Sequence, residues 1–142
     1  MKTTKKSIHI MLLSFFSCIS VYATDHYVYM NAQSPDYDNI QDAIDNANNG
    51  DNIYIDTANF IGNVNINKTL YFYPLHKEGV YTINGALTLN LANNRTIYIQ
   101  GLNGGGVSSS FSGSSNDSAS VILNGCVFSS SVYINSSNSI RT

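Results

Sequence analysis

The sequence predicts an all-β fold: a solenoid of short parallel strands, closed at its N-terminal end by one short α-helix. Three observations predict it. Ile40, Ala43, Ile44 and Ala47 recur at i, i+3, i+4 and i+7, which makes one narrow apolar stripe on a helix face. Directly afterwards the period falls to two, with Ile53 and Ile55 on one side and Tyr54 on the other. From there, short strand-like segments recur, broken by single polar or glycine corners. A helix of about ten residues with so thin a stripe cannot support itself in water. It must lie over something apolar, and the following strands offer only the end of a stack.

Residues 1–23 stand apart from this domain. Lys2, Lys5 and Lys6 precede an apolar run from Ile8 to Ile19, and Val21-Tyr22-Ala23 suits peptidase cleavage after Ala23. That order is a secretory signal peptide. The run is shorter than the ~20 residues that span a bilayer, and no later stretch is long enough either. The expected location is therefore secreted or cell surface, with no transmembrane segment after signal removal. A competing reading acylates Cys18 as a lipoprotein anchor, but Phe15-Phe16-Ser17 poorly matches the small residues expected before such a cysteine. Processing leaves residues 24–142 with four basic and nine acidic residues, a net charge of −5. Lys68, Lys77, Arg95 and Arg141 are scattered and form no basic stripe, which argues against a nucleic-acid partner. Cys126 is left alone, so the processed chain has no intrachain disulfide.

Taken in order, His26 to Met30 alternates and reads as a first strand beside the helix. Ser34-Pro35-Asp36 is a turn. The helix is expected over about residues 38–48, with Asp38 as N-cap and Gln41 completing a capping box. Asn48, Asn49 and Gly50 are expected to stop it in left-handed geometry. The strand GDNIYI follows. Ile83-Asn84-Gly85, Ile99-Gln100-Gly101 and Leu123-Asn124-Gly125 align as equivalent corners, 16 and then 24 residues apart. With Asn67 they make a set of corner residues, Asn67, Asn84, Gln100 and Asn124. Asn suits a corner because it tolerates left-handed geometry and its amide can bond to an equivalent amide one rung away. Leu87, Leu89 and Leu91, and later Cys126 and Phe128, alternate as inward positions. Gly104 to Ser120, rich in glycine and serine, reads as a loop insertion projecting from the stack. A β-sandwich is the rival fold, since Asn84-Gly85 and Asn124-Gly125 also suit hairpin turns. The recurring spacing and the helix favour the solenoid.

The run IQDAIDNANNGDNIYI, followed by NVNI and KTLYFYP, resembles the opening of the right-handed parallel β-helix proteins of the pectin-lyase-like superfamily. The resemblance covers about residues 27 to 135, as a pattern more than as identity. It implies a right-handed coil whose helix plugs the N-terminal end and whose first full rung starts at the Gly50-Asp51 pair. It does not fix function, because the superfamily holds lyases, hydrolases, esterases, adhesins and non-enzymes. Its lyases hold Ca²⁺ with carboxylates and use Arg or Lys as base; its hydrolases pair aspartates. After Asp56 this chain offers only Glu78 and Asp117. Calcium needs six to eight oxygen ligands, and glycoside hydrolysis needs two nearby carboxyls. No catalytic residue, metal ligand or cofactor is therefore carried over.

Other candidates read as structural. Asp36, Asp38, Asp42, Asp45 and Asp51 are dense enough to suggest Ca²⁺, but Asp38, Asp42 and Asp45 fit the solvated face and first turn of the helix. His76 lies in a polar loop with no orienting partner evident, Arg95 at an exposed turn, and Cys126 among inward residues. Outward tyrosines are the feature that favours binding. Tyr54, Tyr71, Tyr73 and Tyr98 are expected on outer faces, where rings can stack on sugars, although strands favour aromatics anyway. After Val132-Tyr133-Ile134 the chain shows no capping element. A polysaccharide contact, another protein covering the last rung, or continuation of the solenoid beyond residue 142 is expected. The functional expectation is a non-catalytic secreted or surface repeat that contacts glycans or partners. The alternative is the front end of a polysaccharide lyase or glycoside hydrolase with active rungs further on.

Overall fold

The computed structural model of the protein describes residues 22–92, 94–105, 107–111 and 118–134. The chain opens with β1 (Asp25–Val28) and α1 (Ile40–Asn46), and then its strands come in threes. The first two triplets are β2 (Asn52–Ile55), β3 (Asn59–Ile61), β4 (Val64–Ile66), and β5 (Leu70–Pro74), β6 (Tyr81–Asn84), β7 (Leu87–Leu91). The next two are β8 (Thr96–Gln100), β9 (Leu102–Gly104), β10 (Val107–Phe111), and β11 (Ser120–Asn124), β12 (Val127–Phe128), β13 (Val132–Ile134). Like members of successive triplets pair in parallel, giving sheets β1-β2-β5-β8-β11, β3-β6-β9-β12 and β4-β7-β10-β13. A parallel pair needs a long crossover between its strands. Here the crossover is the other two sheets, and the result is a parallel β-helix of about four turns.

Register explains the core. Asn52 pairs with Tyr71, Tyr71 with Tyr98, and Tyr98 with Ile122, so a turn takes 19, 27 and then 24 residues. The next residue along carries Ile53 onto Phe72, Phe72 onto Ile99, and Ile99 onto Leu123. Ile53, Phe72 and Ile99 are all buried. Each such side chain contributes roughly 1.5–3 kcal/mol by leaving water. Leu123, Val121, Cys126 and Phe128 on the fourth turn are only partly buried. They pack on the turn before them, with no described turn beyond.

The helix closes the first turn. Ile40, Ala43 and Ile44 are buried beneath it, as the stripe requires. Its ends differ from the sequence reading. The N-cap is Asn39, not Asp38: the Asn39 Oδ1 accepts the Asp42 N–H at 2.9 Å. Gln41 is therefore not a capping-box residue. Its Oε1 accepts the Asn65 N–H at 2.8 Å, which satisfies a donor on the open edge of β4. The helix stops at Ala47, whose backbone is extended; neither Asn48 nor Asn49 has a positive φ, and of the three expected residues only Gly50 does, at 97°. The last carbonyls are met instead by Lys68, whose Nζ donates to Ile44 O, Asp45 O and Ala47 O at 2.8, 2.9 and 2.7 Å. One ammonium thus satisfies three orphan acceptors at the negative end of the helix dipole.

The corners also need correction. Asn84-Gly85 ends β6, whereas Gln100-Gly101 and Asn124-Gly125 end β8 and β11, so the first is a different corner from the other two. Asn84 pairs with Ile61, and only Gln100 and Asn124 are in register with each other. Asn67 lies at the third corner, after β4. Neither Asn67, Asn84 nor Asn124 is left-handed; among described non-glycine residues only Asn31 and Asn94 have positive φ. Asn49, Asn63 and Asn94 tie rungs together through side chain to backbone bonds. Their Oδ1 atoms accept the N–H of Thr69, Ala86 and Ser118, one turn on, at 2.8, 2.9 and 2.6 Å. Gly85 is required for space: a Cβ there would collide with the Gly62 carbonyl oxygen one turn before.

The expected loop over residues 104–120 is partly strand. β10 pairs with β7 on one side and β13 on the other, with Val107, Ser109 and Phe111 at the register positions of Leu87, Leu89 and Leu91. Serine-rich composition hid the alternation, and neighbouring turns supply the ladder that propensity does not. Residues 106 and 112–117 of that expected insertion lie outside the described residues.

Lys68→Met keeps the stem and removes the three donated bonds. It is expected to lower unfolding free energy by about 1–2 kcal/mol, read from a shifted denaturant midpoint at constant slope. Lys77→Met, on an exposed loop residue, is expected to leave the midpoint where it is.

Candidate functional site

The first sheet carries a column of tyrosines on its outer face. Strand alternation turns Ile53 and Ile55 inward and Tyr54 outward, and the same parity holds in β1, β5 and β8. Parallel pairing then sets like residues one above another. Tyr27 and Tyr54 stack with ring centroids 5.5 Å apart and planes 20° apart. Tyr54 and Tyr73 follow at 5.5 Å and 27°, and Tyr73 and Tyr98 at 5.4 Å and 40°. Such offset stacks are worth roughly 0.5–1.5 kcal/mol per pair beyond area burial. Tyr29 joins Tyr27 at 6.5 Å and 19°.

Tyr54, Tyr71, Tyr73 and Tyr98 thus lie half-buried on one face, as the alternation requires. The ring stack runs through Tyr73 rather than Tyr71, although Tyr71 is the residue in backbone register with Tyr98. Tyr98 leans along its strand because its hydroxyl is held. It donates to Gln100 Oε1 at 3.1 Å and accepts from Asn124 Nδ2 at 3.0 Å. The corner amides of Gln100 and Asn124 are therefore joined through a phenol, not directly to each other. Tyr27 was missed as a ladder member. Its signal was its place before Val28 in a strand lying in register with β2.

Because the rings lie against one another, the column presents ring edges outward, one ring per rung. Burial, then the charge of Asp25 and the neighbouring Tyr27, pushes the Tyr54 phenol above its ordinary value. Burial, then the phenols of Tyr98, Tyr54 and Tyr71, does the same to Tyr73. Tyr54 and Tyr73, with their phenols pushed up, therefore stay neutral at physiological pH, and the column sets polar phenol tips on an apolar base.

The remaining candidates fall elsewhere. Asp51 is not part of a solvated acid cluster; it is 1% exposed. Among the described residues no three His, Cys, Asp or Glu side chains gather closely enough to hold a metal ion. His76 has an orienting partner after all, Asp56 Oδ1 at 3.4 Å, but the His76 side chain is 69% exposed. Surface pairs of that kind contribute little. Arg95 is half-buried and donates Nη1 to Asn90 O and Oδ1 at 2.8 and 3.0 Å, so it fastens a corner. Cys126 directs its Sγ at Ile99 O, 3.4 Å away, and burial pushes its thiol up despite contacts from the Leu102, Asn124 and Gly101 amides. A groove of about 440 Å³ lies at the plug, between Met30, Asp38 and the edge of β3, with Ile61 fully out in solvent. No helix among the described residues is long and apolar enough to cross a membrane.

The class defined by these features is a parallel β-helix with a helical N-terminal plug and a tyrosine-lined outer face. Protein-family models, curated proteins and solved structures yield no match to the chain.

The buried phenols make a spectroscopic prediction. A phenol whose folded pKa is raised contributes stability that is fully present below its unfolded pKa of about 10, and that is lost as pH rises through the folded value. Absorbance titration should show Tyr54, Tyr73 and the fully buried Tyr81 ionising above the ordinary tyrosine value of about 10. Unfolding free energy should fall as pH rises above about 10. Simultaneous ionisation of all tyrosines in the folded protein would contradict the stacked, half-buried column.

Proposed function

We propose that this chain is an exported, non-catalytic β-helix segment of the pectin-lyase-like kind, and that its tyrosine face contacts an extended glycan. The observation that carries the reading is the unbroken run Tyr27-Tyr54-Tyr73-Tyr98 along the solenoid axis. A linear polymer lying along that axis meets one ring edge and one phenol per rung, at a repeat of about 5.5 Å. Sugars suit such a strip because they carry apolar C–H faces and hydroxyls together, and phenols donate and accept. The chain's negative charge favours neutral or basic polymers over acidic ones. The signal-like order of residues 1–23 supports an extracellular setting for such a contact.

The experiment is isothermal titration of residues 24–142 with neutral oligosaccharides of increasing length. Affinity should grow with length until the ligand spans the column. Tyr54→Ala or Tyr73→Ala should lower it by up to about tenfold, the size of one lost hydrogen bond to a phenol. The same protein should release no unsaturated uronate and no new reducing ends from acidic polysaccharides, with or without Ca²⁺. Turnover above blank would replace this reading with a lyase or hydrolase. Length-independent binding that survives both substitutions would remove the tyrosine face from it.

A further inference from the structure

Asp51 is the buried charged side chain of the described core, and its partners converge from two segments, the start of β1 and the exit of α1. Its Oδ1 accepts the Thr24 N–H at 2.8 Å. Its Oδ2 accepts the Asn48 N–H at 2.8 Å and lies 3.0 Å from His26 Nε2. Thr24 is held there from the other side, since its carbonyl accepts the Asn52 N–H at 3.0 Å. Burial pushes the Asp51 carboxyl up, but the Thr24 and Asn48 amides and the His26 ring outweigh it and hold it below the usual carboxylate range. The carboxylate is thus ionised inside the fold, and one of its donors is the backbone nitrogen of Thr24.

Thr24 is also the residue that cleavage after Ala23 would make the first of the chain. We propose that Asp51 is the receptor for the processed N-terminus. Hydrolysis of the Ala23–Thr24 bond by a signal peptidase adds one water: the carboxylate leaves with Ala23, and the Thr24 amine takes up a proton. The same nitrogen then carries a full positive charge 2.8 Å from the Asp51 Oδ1. A neutral hydrogen bond becomes an ion pair that fastens β1 to β2 beside the plug, and export processing becomes the step that completes the N-terminal closure. This rests on the export reading of residues 1–23.

The neighbourhood is otherwise balanced. Asp25, next in the chain, accepts from Asn52 Nδ2 at 2.8 Å, and Tyr37 lies against His26 at 5.8 Å. Lys68 is occupied by the helix carbonyls, Ala47 O included. An α-amino group ordinarily titrates at about 7.7–8. The buried carboxylate favours its charged form and raises that value in the folded state. A raised folded pKa contributes stability that is complete below the unfolded value and lost as pH rises through the folded one. Asp51 itself has a lowered pKa. It contributes above its unfolded value and loses that contribution as pH falls through its folded one.

The test compares residues 24–142 with a free Thr24 amine against the same chain Nα-acetylated at Thr24. Acetylation keeps the N–H donor and removes the charge. A third version retaining Tyr22-Ala23 displaces the charge but also keeps the donor. At about pH 6 the free-amine form should melt roughly 2–5 °C above both others, and the gap should close by about pH 10.5. Equal melting of the free and acetylated forms at pH 6, or a gap that persists after the amine has deprotonated, overturns the proposal. Asp51→Asn should abolish the gap at every pH; should that variant not fold, the comparison of N-termini in the unmutated chain still decides. The intact mass of exported protein separates the two premises. A start other than Thr24 overturns processing at this bond whatever the melting shows, and a start at Thr24 with no gap overturns the ion pair alone.

Discussion

The first turn of a parallel solenoid has to be closed, and here two charged side chains close it. Lys68 holds the C-terminal carbonyls of α1 from the corner after β4, and Asp51 gathers the start of β1 and the exit of the helix at the start of β2. Without such closure the first turn would expose its apolar interior and the unpaired edges of its strands. The helix alone is too short to persist, so it depends on these contacts as much as on its three buried residues. The plug is therefore a polar device laid over an apolar surface. Hydrophobic burial holds α1 down, and Lys68, Gln41 and Asp51 fix where it sits.

Once the first turn is set, parallel register carries its pattern along the axis. Ile53 dictates an apolar residue above it, and Tyr54 dictates what stands on the outer face. The tyrosine column is thus a product of the same stacking that builds the core. Phenols on the outside and aliphatics on the inside come from one alternation, repeated at 19 to 27 residues per turn in that sheet. This couples fold and proposed function. A change that slipped the register would break the core and the binding face together.

The sequence made some of this legible. Periods of 3.6 and then two are local, so α1 and β2 are legible between Ile40 and Ile55, although α1 is two residues shorter at each end than the expected 38–48. What escaped was non-local. Asn39 and Asp38 are equally good caps by type, and only the backbone decides between them. Lys68 meets its carbonyls across more than twenty positions, and Asp51 meets Thr24 across twenty-seven. No local pattern signals either bond. Asn84 was aligned with Gln100 and Asn124 because all three precede glycine, yet each turn has three corners and glycine serves more than one of them. Serine disguised β10, whose ladder depends on β7 and β13 rather than on its own propensity. Parity alone offers Tyr54, Tyr71, Tyr73 and Tyr98 and does not show that Tyr71 stays out of the stack, while Tyr27 requires knowing that β1 lies beside β2.

Native-state hydrogen exchange tests the closure of the first turn most directly. The Asn65 amide is bonded to Gln41 Oε1 in α1, and the Thr69 amide to Asn49 Oδ1 in the turn that follows it, at 2.8 Å each. If the plug is an integral part of the fold, these amides should exchange only through global opening, with the same free energy as the core amides of β5 and β8. Rapid exchange at Asn65 and Thr69 while β5 and β8 stay protected would mean that the helix does not close the solenoid.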